Sequence, residues 1–311
     1  MAAGHRPVML QEAIEALALG PDDAVVDATF GGGGHSRVIL DHLGPGGSLI
    51  GIDRDPAAAG RASDLMEDPR FEFVHDAYDG ALWVMVERGA KVDAILFDLG
   101  LSSFQVDEPE RGFSYASEGP LDMRMDPGSG VSAAEYLNTA EAGELARVLS
   151  EYGDVPRGEA RRVVREVVKR RPLAVTTDLY DAVRAAVGWK ERGGNPAKRV
   201  FQAVRVRVND ELGSLARALD ATERLLVPGG RLVVLTFHSG EDRLVKRFIS
   251  QREGRCVCPP ELPVCVCGAR PIFRRGAVLR PTRSEVGENP RSASARLRAA
   301  IRTAEPAEDG G

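Results

Sequence analysis

The sequence predicts an α/β protein, a doubly wound and mainly parallel sheet interrupted by a block of α-helices. Three observations carry that expectation. From Ala24 to Asp98, short apolar runs of strand length alternate with segments of helical spacing, the pattern of βαβ units. The first run, AVVDA, leads straight into FGGGGHS, a glycine-rich turn at a helix start. After Asp98 the rhythm stops, and helical patterns fill the chain until a strand pattern returns at Arg231.

Each element follows in order. LQEAIEALAL (10–19) has helical spacing and precedes the strand AVVDA. HSRVILDHL (35–43) reads as a helix abutting the glycines, SLIGID (48–53) as a second buried strand and DPAAAGRASDLM as a second α/β crossover helix. FEFVH (71–75) and DAILFD (93–98) are the third and fourth strands. From Asp107 to Pro196 no segment reads as a strand. SAAEYL, EAGELARVLSEY, EARRVVREVVKR and TTDLYDAVRAAV are helical, with Val163, Val164, Val167 and Val168 forming an apolar stripe. One long helix is expected over AKRVFQAVRVRVNDELGSLARALDATERLL, then a VPGG turn, the strand RLVVLTF (231–237) and the helix EDRLVKRFI. AVLRPT and SARLRAAIRT suggest closing edge strands, and there are no internal repeats. The expected division is a sheet domain in two parts, 1–106 and 197–303, around an inserted helical domain, 107–196. A disordered tail follows, 304–311.

Composition fits a globular protein, 43% hydrophobic and 28% charged. The N-terminal MAAGHRPVMLQEAIEAL lacks the apolar core of a signal peptide or membrane span, so the expectation is a cytoplasmic protein. The net charge of −5 conceals two basic segments. Residues 157–171 carry seven bases against two acids, and Ala269 to Arg302 carries nine arginines against two glutamates. Such segments suit a polyanion or are simply solvated faces. All four cysteines, Cys256, Cys258, Cys265 and Cys267, fall in CVCPPELPVCVC. That crowding suits a metal better than a disulfide framework, but the C-x-C pairs are tighter than usual zinc spacing, and reduced loop thiols remain the alternative. No metal-binding residue is assigned.

The glycines at a strand–helix turn let a ligand approach the backbone beside the N–H groups of a helix start. Dinucleotides and S-adenosylmethionine both use such a turn, and Asp53, twenty residues past Gly33, suits the ribose hydroxyls of either. Ser36 stands where a G-x-G-x-x-G pattern needs its last glycine. Asp27 precedes the turn, where a carboxylate meets a cationic amino group but repels a pyrophosphate. Asp98 ends the fourth strand at the lip of the ligand crevice. These three details favour S-adenosylmethionine. Each acid also has a plainer role: Asp27 as a turn cap, Asp53 as a cap of the helix from Pro56, Asp98 as a loop-ordering acid. Tyr78, past the third strand, is placed to pack against an adenine or to fill the core.

HRPVML, DATFGGGGHS, GIDRDP, DLGLSSFQVD, RGFSY, GPLDMRMD, FQAVRVRVNDEL, FHSGEDR and ENPRSASARLR, in that order, resemble the segments of the MraW/RsmH family. These are S-adenosylmethionine-dependent N4-methyltransferases of a cytosine in 16S ribosomal RNA. The resemblance runs from about His5 to Arg302, and GPLDMRMD and FHS-x-EDR are its most specific parts. It implies a Rossmann-like class I methyltransferase sheet with an inserted helical domain. It implies cofactor contacts at Gly33, Gly34, His35, Asp53, Tyr78, Asp98 and Gln105, and 16S ribosomal RNA within the small ribosomal subunit as substrate; no obligate protein partner is inferred. Tyr78 stands where phenylalanine is familiar, and Gly240 where leucine is expected.

On this reading Asp98 is the catalytic candidate. The lone pair of a cytosine N4 amine is delocalised into its ring, and a carboxylate accepting from the amine localises it and stabilises the developing charge. Ser102, Ser103, His238 and Ser239 are placed to orient the base. The target base must be unstacked, and the two basic segments would hold phosphates around it. The rivals are an amino-methyltransferase acting on another nucleic acid or amine, and a non-catalytic RNA-binding protein that uses the cofactor for structure or sensing.

Overall fold

The computed structural model describes residues 7–188, 195–254 and 271–304. The four cysteines, and residues 305–311 of the expected tail, lie outside the described residues. The chain divides into two compact units, one formed by Met1–Gly100 with Gly213–Gly311 and the other by Leu101–Leu212.

The elements run α1 (Leu10–Leu17), β1 (Ala24–Asp27), α2 (Gly34–His42), β2 (Ser48–Asp53), α3 (Ala57–Ala62), β3 (Phe71–His75), α4 (Tyr78–Glu87) and β4 (Val92–Asp98). Then come α5 (Ser103–Asp107), α6 (Ala133–Thr139), α7 (Ala142–Tyr152), α8 (Arg157–Lys169), α9 (Thr176–Val187) and α10 (Pro196–Val208). The chain closes with α11 (Glu211–Leu225), β5 (Leu226–Thr236), α12 (Ser239–Arg252), β6 (Phe273–Leu279), α13 (Arg283–Glu288) and β7 (Arg296–Arg302). No helix among the described residues is long and apolar enough to cross a membrane.

In the first unit the sheet order is β3-β2-β1-β4-β5-β7-β6. The pairings from β3 through β5 are parallel, and β7 is antiparallel to both β5 and β6. Strand order reverses between β1 and β4, and the carboxyl ends at such a switch point form the ligand crevice of doubly wound sheets. Both faces of the sheet are covered at its central strands, which is why β1, β2 and β4 read as continuous apolar runs. Ile95 and Phe97 of β4 pack on one side with Leu82 of α4, Leu219 of α11 and Phe248 of α12. Ala94 and Leu96 pack on the other with Leu17 of α1, Ile39 of α2 and Ala58 of α3. The period-two alternation of a strand divides one apolar run between two cores.

The sheet departs from the sequence expectation at its far side. SARLRAAIRT supplies β7, which lies between β5 and β6 and is no edge; the edge strand is β6, four residues earlier than AVLRPT. The expected VPGG turn is a bulge inside β5, where pairing with β4 jumps from Val92↔Leu226 to Ala94↔Arg231 and Gly229 takes a φ of 85°.

The second unit is helical. Leu145, Val148 and Leu149 of α7, Val163, Val164 and Val167 of α8, Leu179 and Val183 of α9, and Phe201 and Val204 of α10 share one core. Its only strand-like pairing among the described residues is the isolated bridge Pro120↔Val175. Val168 does not join the stripe and is 41% exposed. The single long helix expected from Ala197 to Leu226 is broken at Asn209 and Asp210, where Asp210 takes a φ of 48°. The Asn209 amide offsets the lost helical bonds. Its Nδ2 donates to the Met123 carbonyl (2.8 Å) and its Oδ1 accepts from Met125 N (2.8 Å). A bidentate Arg205–Glu211 pair at 2.7 and 2.8 Å spans the break.

Candidate functional site

The glycine turn after β1 needs glycine for reasons at different positions. Gly31 and Gly33 have φ of 56° and 75°, a region that penalises any Cβ. A Cβ on Gly33 would lie 2.7 Å from Phe30 Cζ, and one on Gly34 would lie 2.3 Å from Pro7 Cγ. Those two glycines therefore serve the chain's own close packing. A Cβ on Gly31 would meet nothing closer, among the described residues, than the Thr29 carbonyl oxygen at 3.8 Å.

The Gly31 peptide is held from both sides. Its N–H donates to Asp53 Oδ2 (2.7 Å) and its carbonyl accepts from Arg61 Nε (2.8 Å). Asp53 Oδ1 accepts from Asp55 N at 2.8 Å. Burial raises the Asp53 pKa; the two backbone N–H donors oppose that, the Asp55 charge adds to it and the Arg61 charge offsets it. Sequence reasoning passed over Arg61, whose hydrogen bond to the turn goes to a backbone carbonyl 30 residues away that has no side-chain signature; its guanidinium also lies 3.8 Å from Asp55.

Asp27 is 1% exposed. Its Oδ2 accepts from Ser36 Oγ (2.6 Å) and its Oδ1 from Thr29 N (3.2 Å). Burial pushes its pKa up to about 6, the Ser36 and Thr29 hydrogen bonds oppose the rise, and the Asp53 charge adds to it. Asp98 lies at the end of β4, its N–H donating to Thr29 Oγ1 (2.6 Å). Its side chain is 24% exposed, yet Oδ1 is buried and has no hydrogen-bond partner among the described residues. Oδ2 lies 3.5 Å from His35 Nδ1, beyond good hydrogen-bond range. Burial holds Asp98 well above the ordinary carboxylate range, and the Asp27 and Glu241 charges push it the same way. Burial pushes His35 down to about 4 against an opposing backbone hydrogen bond with Val8, so the imidazole is neutral; its Nε2 is likewise buried with no hydrogen-bond partner among the described residues.

The sheet unit thus gathers Gly33, Gly34, His35, Asp53 and Asp98 at the ends of β1, β2 and β4. Tyr78 begins α4, its ring edge-on to Phe97 of β4 at 5.6 Å, a core contact. Gln105 belongs to the helical unit. It is 4% exposed, and its Oε1 accepts from Ser102 N (3.2 Å) in a capping box of α5. FHSGEDR is a helix start: His238 Nδ1 accepts from Gly240 N at 3.2 Å, and Glu241 Oε2 accepts from Phe237 N at 2.7 Å. Asp242 pairs with Arg296 and Arg298 of β7 at 2.9 and 2.8 Å. Glu241 was missed as a neighbour of Asp98, though its spacing from His238 is that of a cap.

The charges that act on Asp98 are acidic, and it presents an unmatched acceptor. This set of groups suits a ligand that is cationic and donates hydrogen bonds, and it disfavours a pyrophosphate.

The chain is similar to several known proteins. An rRNA methylase from Streptococcus thermophilus of known structure is 13% identical, with a TM-score of 0.42, over 97% of this chain and 99% of that one. The Ribosomal RNA small subunit methyltransferase H of Rubrobacter xylanophilus is 73% identical over 99% of both chains. That of Heliobacterium modesticaldum is 46% identical over 95% of this chain and 97% of its own. The model of the MraW methylase family matches residues 2–303, and the chain belongs to that family.

Proposed function

We propose that the chain methylates the exocyclic N4 amine of a cytosine in 16S ribosomal RNA, within the small ribosomal subunit and in the cytoplasm, using S-adenosylmethionine. The ribosomal RNA substrate is supported by the names of relatives 73% and 46% identical along nearly the whole chain. The observation that carries the chemistry is Asp98 Oδ1, a buried acceptor at the switch point of the sheet with no hydrogen-bond partner among the described residues.

S-adenosylmethionine, when bound, supplies a methyl group on a positively charged sulfur. Asp27 would face its ammonium group, Asp53 its ribose hydroxyls and Tyr78 its adenine, with Gly33, Gly34 and His35 completing the contacts. Asp98 accepts a hydrogen bond from the N4 amine. This localises the nitrogen lone pair and stabilises the positive charge that develops on nitrogen. The amine must also shed one proton, and a carboxylate of raised pKa accepts it more readily than an ordinary one. Neutral His35 beside Asp98 withholds a competing positive charge from the same oxygens.

Labelled S-adenosylmethionine and small subunits from a strain lacking this gene test the reading. Label recovered as N4-methylcytidine is the expected result, and label in another product, or none from competent subunits, overturns it. For the cofactor contacts, Asp53→Ala should raise the S-adenosylmethionine Kd by about 10–100-fold, the worth of hydrogen bonds to a charged group. Arg61→Met should raise it by about tenfold by freeing the Gly31 carbonyl, with kcat preserved at saturating cofactor. Unchanged affinity in Asp53→Ala removes the ribose role.

A further inference from the structure

The seven bases of residues 157–171 divide sharply by what they touch. Three are tied to the protein. Arg162 Nε donates to the Ala186 carbonyl (3.2 Å), Arg170 pairs with Glu166 (3.4 Å), and Arg171 donates to the Leu137 and Ala140 carbonyls at 2.8 and 2.6 Å. The other four are Arg157, Arg161, Arg165 and Lys169. All four are exposed, and their side chains make no hydrogen bond or ion pair among the described residues.

Those four are spaced by four residues along α8. The spacing places them in one row on the helix surface, about 6 Å apart along the axis. The opposite stripe, Ala160, Val163, Val164 and Val167, is buried in the helical core. That core fixes which way α8 faces, so the row is held at the surface. Four like charges at this separation repel one another. The helix carries Glu159 and Glu166 as its acids; both are only partly exposed, and Glu166 is already engaged by Arg170. A row of uncompensated cations on a chain of net charge −5 calls for a polyanion.

We infer that Arg157, Arg161, Arg165 and Lys169 form a phosphate-binding row for the ribosomal RNA substrate. The inference rests on the proposed function for the identity of the RNA. The row follows the backbone of a strand and adds affinity without reading sequence. Arg162, Arg170 and Arg171 serve the fold.

The test is binding of small ribosomal subunits to the full chain at several salt concentrations, a readout independent of methyl transfer. The variant changes Arg157, Arg161, Arg165 and Lys169 to Gln, which keeps helix propensity. Losing four phosphate contacts should weaken binding roughly tenfold or more at low salt. It should also reduce the slope of log K against log salt by about 3. S-adenosylmethionine affinity, and kcat at saturating subunits, should stay at the unvaried level. A double change of Arg162 and Arg170 to Gln should leave the slope as it was. An unchanged slope in the fourfold variant makes the row a solvated face and overturns the inference, as does an equal loss in the double variant. Failure of the proposed function shows separately, as absence of label in subunits that the unvaried chain nonetheless binds.

Discussion

Asp98→Asn should lower kcat by on the order of 10²–10⁴-fold, while subunit binding changes by less than about threefold. Asn keeps the shape at the end of β4 and the backbone bond to Thr29, but it offers a weaker acceptor and cannot take up the amine proton. Two further readouts separate this role from simple loss of structure. In the unvaried protein the rate should rise with pH through an apparent pKa above the ordinary carboxylate range, because burial, Asp27 and Glu241 all favour protonated Asp98. A cationic ligand opposes that shift, so the acid limb of kcat should lie below the acid limb of kcat/KM for the cofactor.

Stability should move the opposite way. A carboxyl whose folded pKa is raised holds its proton in the native state after the unfolded chain has released it. Stability therefore falls as pH rises from the unfolded pKa to the folded one, and stays lowered above it. Asp98→Asn removes that loss, so the cofactor-free variant should melt at a higher temperature than the unvaried protein at neutral pH. A variant with unimpaired turnover would dismiss the catalytic role, and one that melts earlier would dismiss the electrostatic account.

Gly112→Ala should cost the helical unit about 3 kcal/mol or more, from left-handed strain together with overpacking. Gly112, in RGFSY, has a φ of 72°. A Cβ there would lie 2.1 Å from the Pro120 carbonyl oxygen and 2.8 Å from Asp122 N. Both are backbone atoms of GPLDMRMD and have no rotamer to turn aside. From the other side, a Cβ on Gly119 would meet the Pro109 carbonyl oxygen at 1.9 Å. RGFSY and GPLDMRMD are therefore two stretches of backbone in direct apposition. The apparent melting midpoint of Gly112→Ala should fall by about 10 °C or more. Gly143→Ala is the control, since nothing lies within 4 Å of its added Cβ, and it should melt at or slightly above the unvaried midpoint. Equal melting of all three proteins would show that the apposed backbones can separate cheaply.

The central parallel strands β1, β2 and β4 were legible because both faces of the sheet are buried there, which makes each an apolar run ending in an acid, Asp27, Asp53 or Asp98. β7 was harder to place. RLRAAIR looks like an edge because of its arginines, yet Arg298 is buried against Asp242 at 2.8 Å and Arg302 donates to the Glu223 carbonyl at 3.2 Å. Those partners are remote in sequence, so composition pointed the wrong way. The break at Asn209 was hidden for the same reason, since the local spacing is helical on both sides and its partners lie in GPLDMRMD. At the site, acids at strand ends could be read directly. The solitary Asp98 Oδ1, the neutral His35 and the grip of Arg61 on Gly31 depend on burial and distance, which no local pattern encodes.

The placement of the helical unit within the chain has a consequence for biosynthesis. Leu101–Leu212 is one continuous stretch, whereas the sheet unit needs residues from both sides of it. β4 cannot acquire its neighbour β5, with Asp98 opposite Leu235, until the whole helical segment has been made. Local contacts form early and pairings between distant strands form late. In pulse-labelled hydrogen exchange during refolding, amides of α7 to α10 should gain protection before those of β4 and β5; the reverse order would refute this sequence of events. Until β5 arrives, the apolar run Ala94–Phe97 is an unpaired strand flank in a nascent chain, the kind of surface that chaperones shield. The carboxyl end of β4, with Asp98, is thus among the last parts of the protein to be completed.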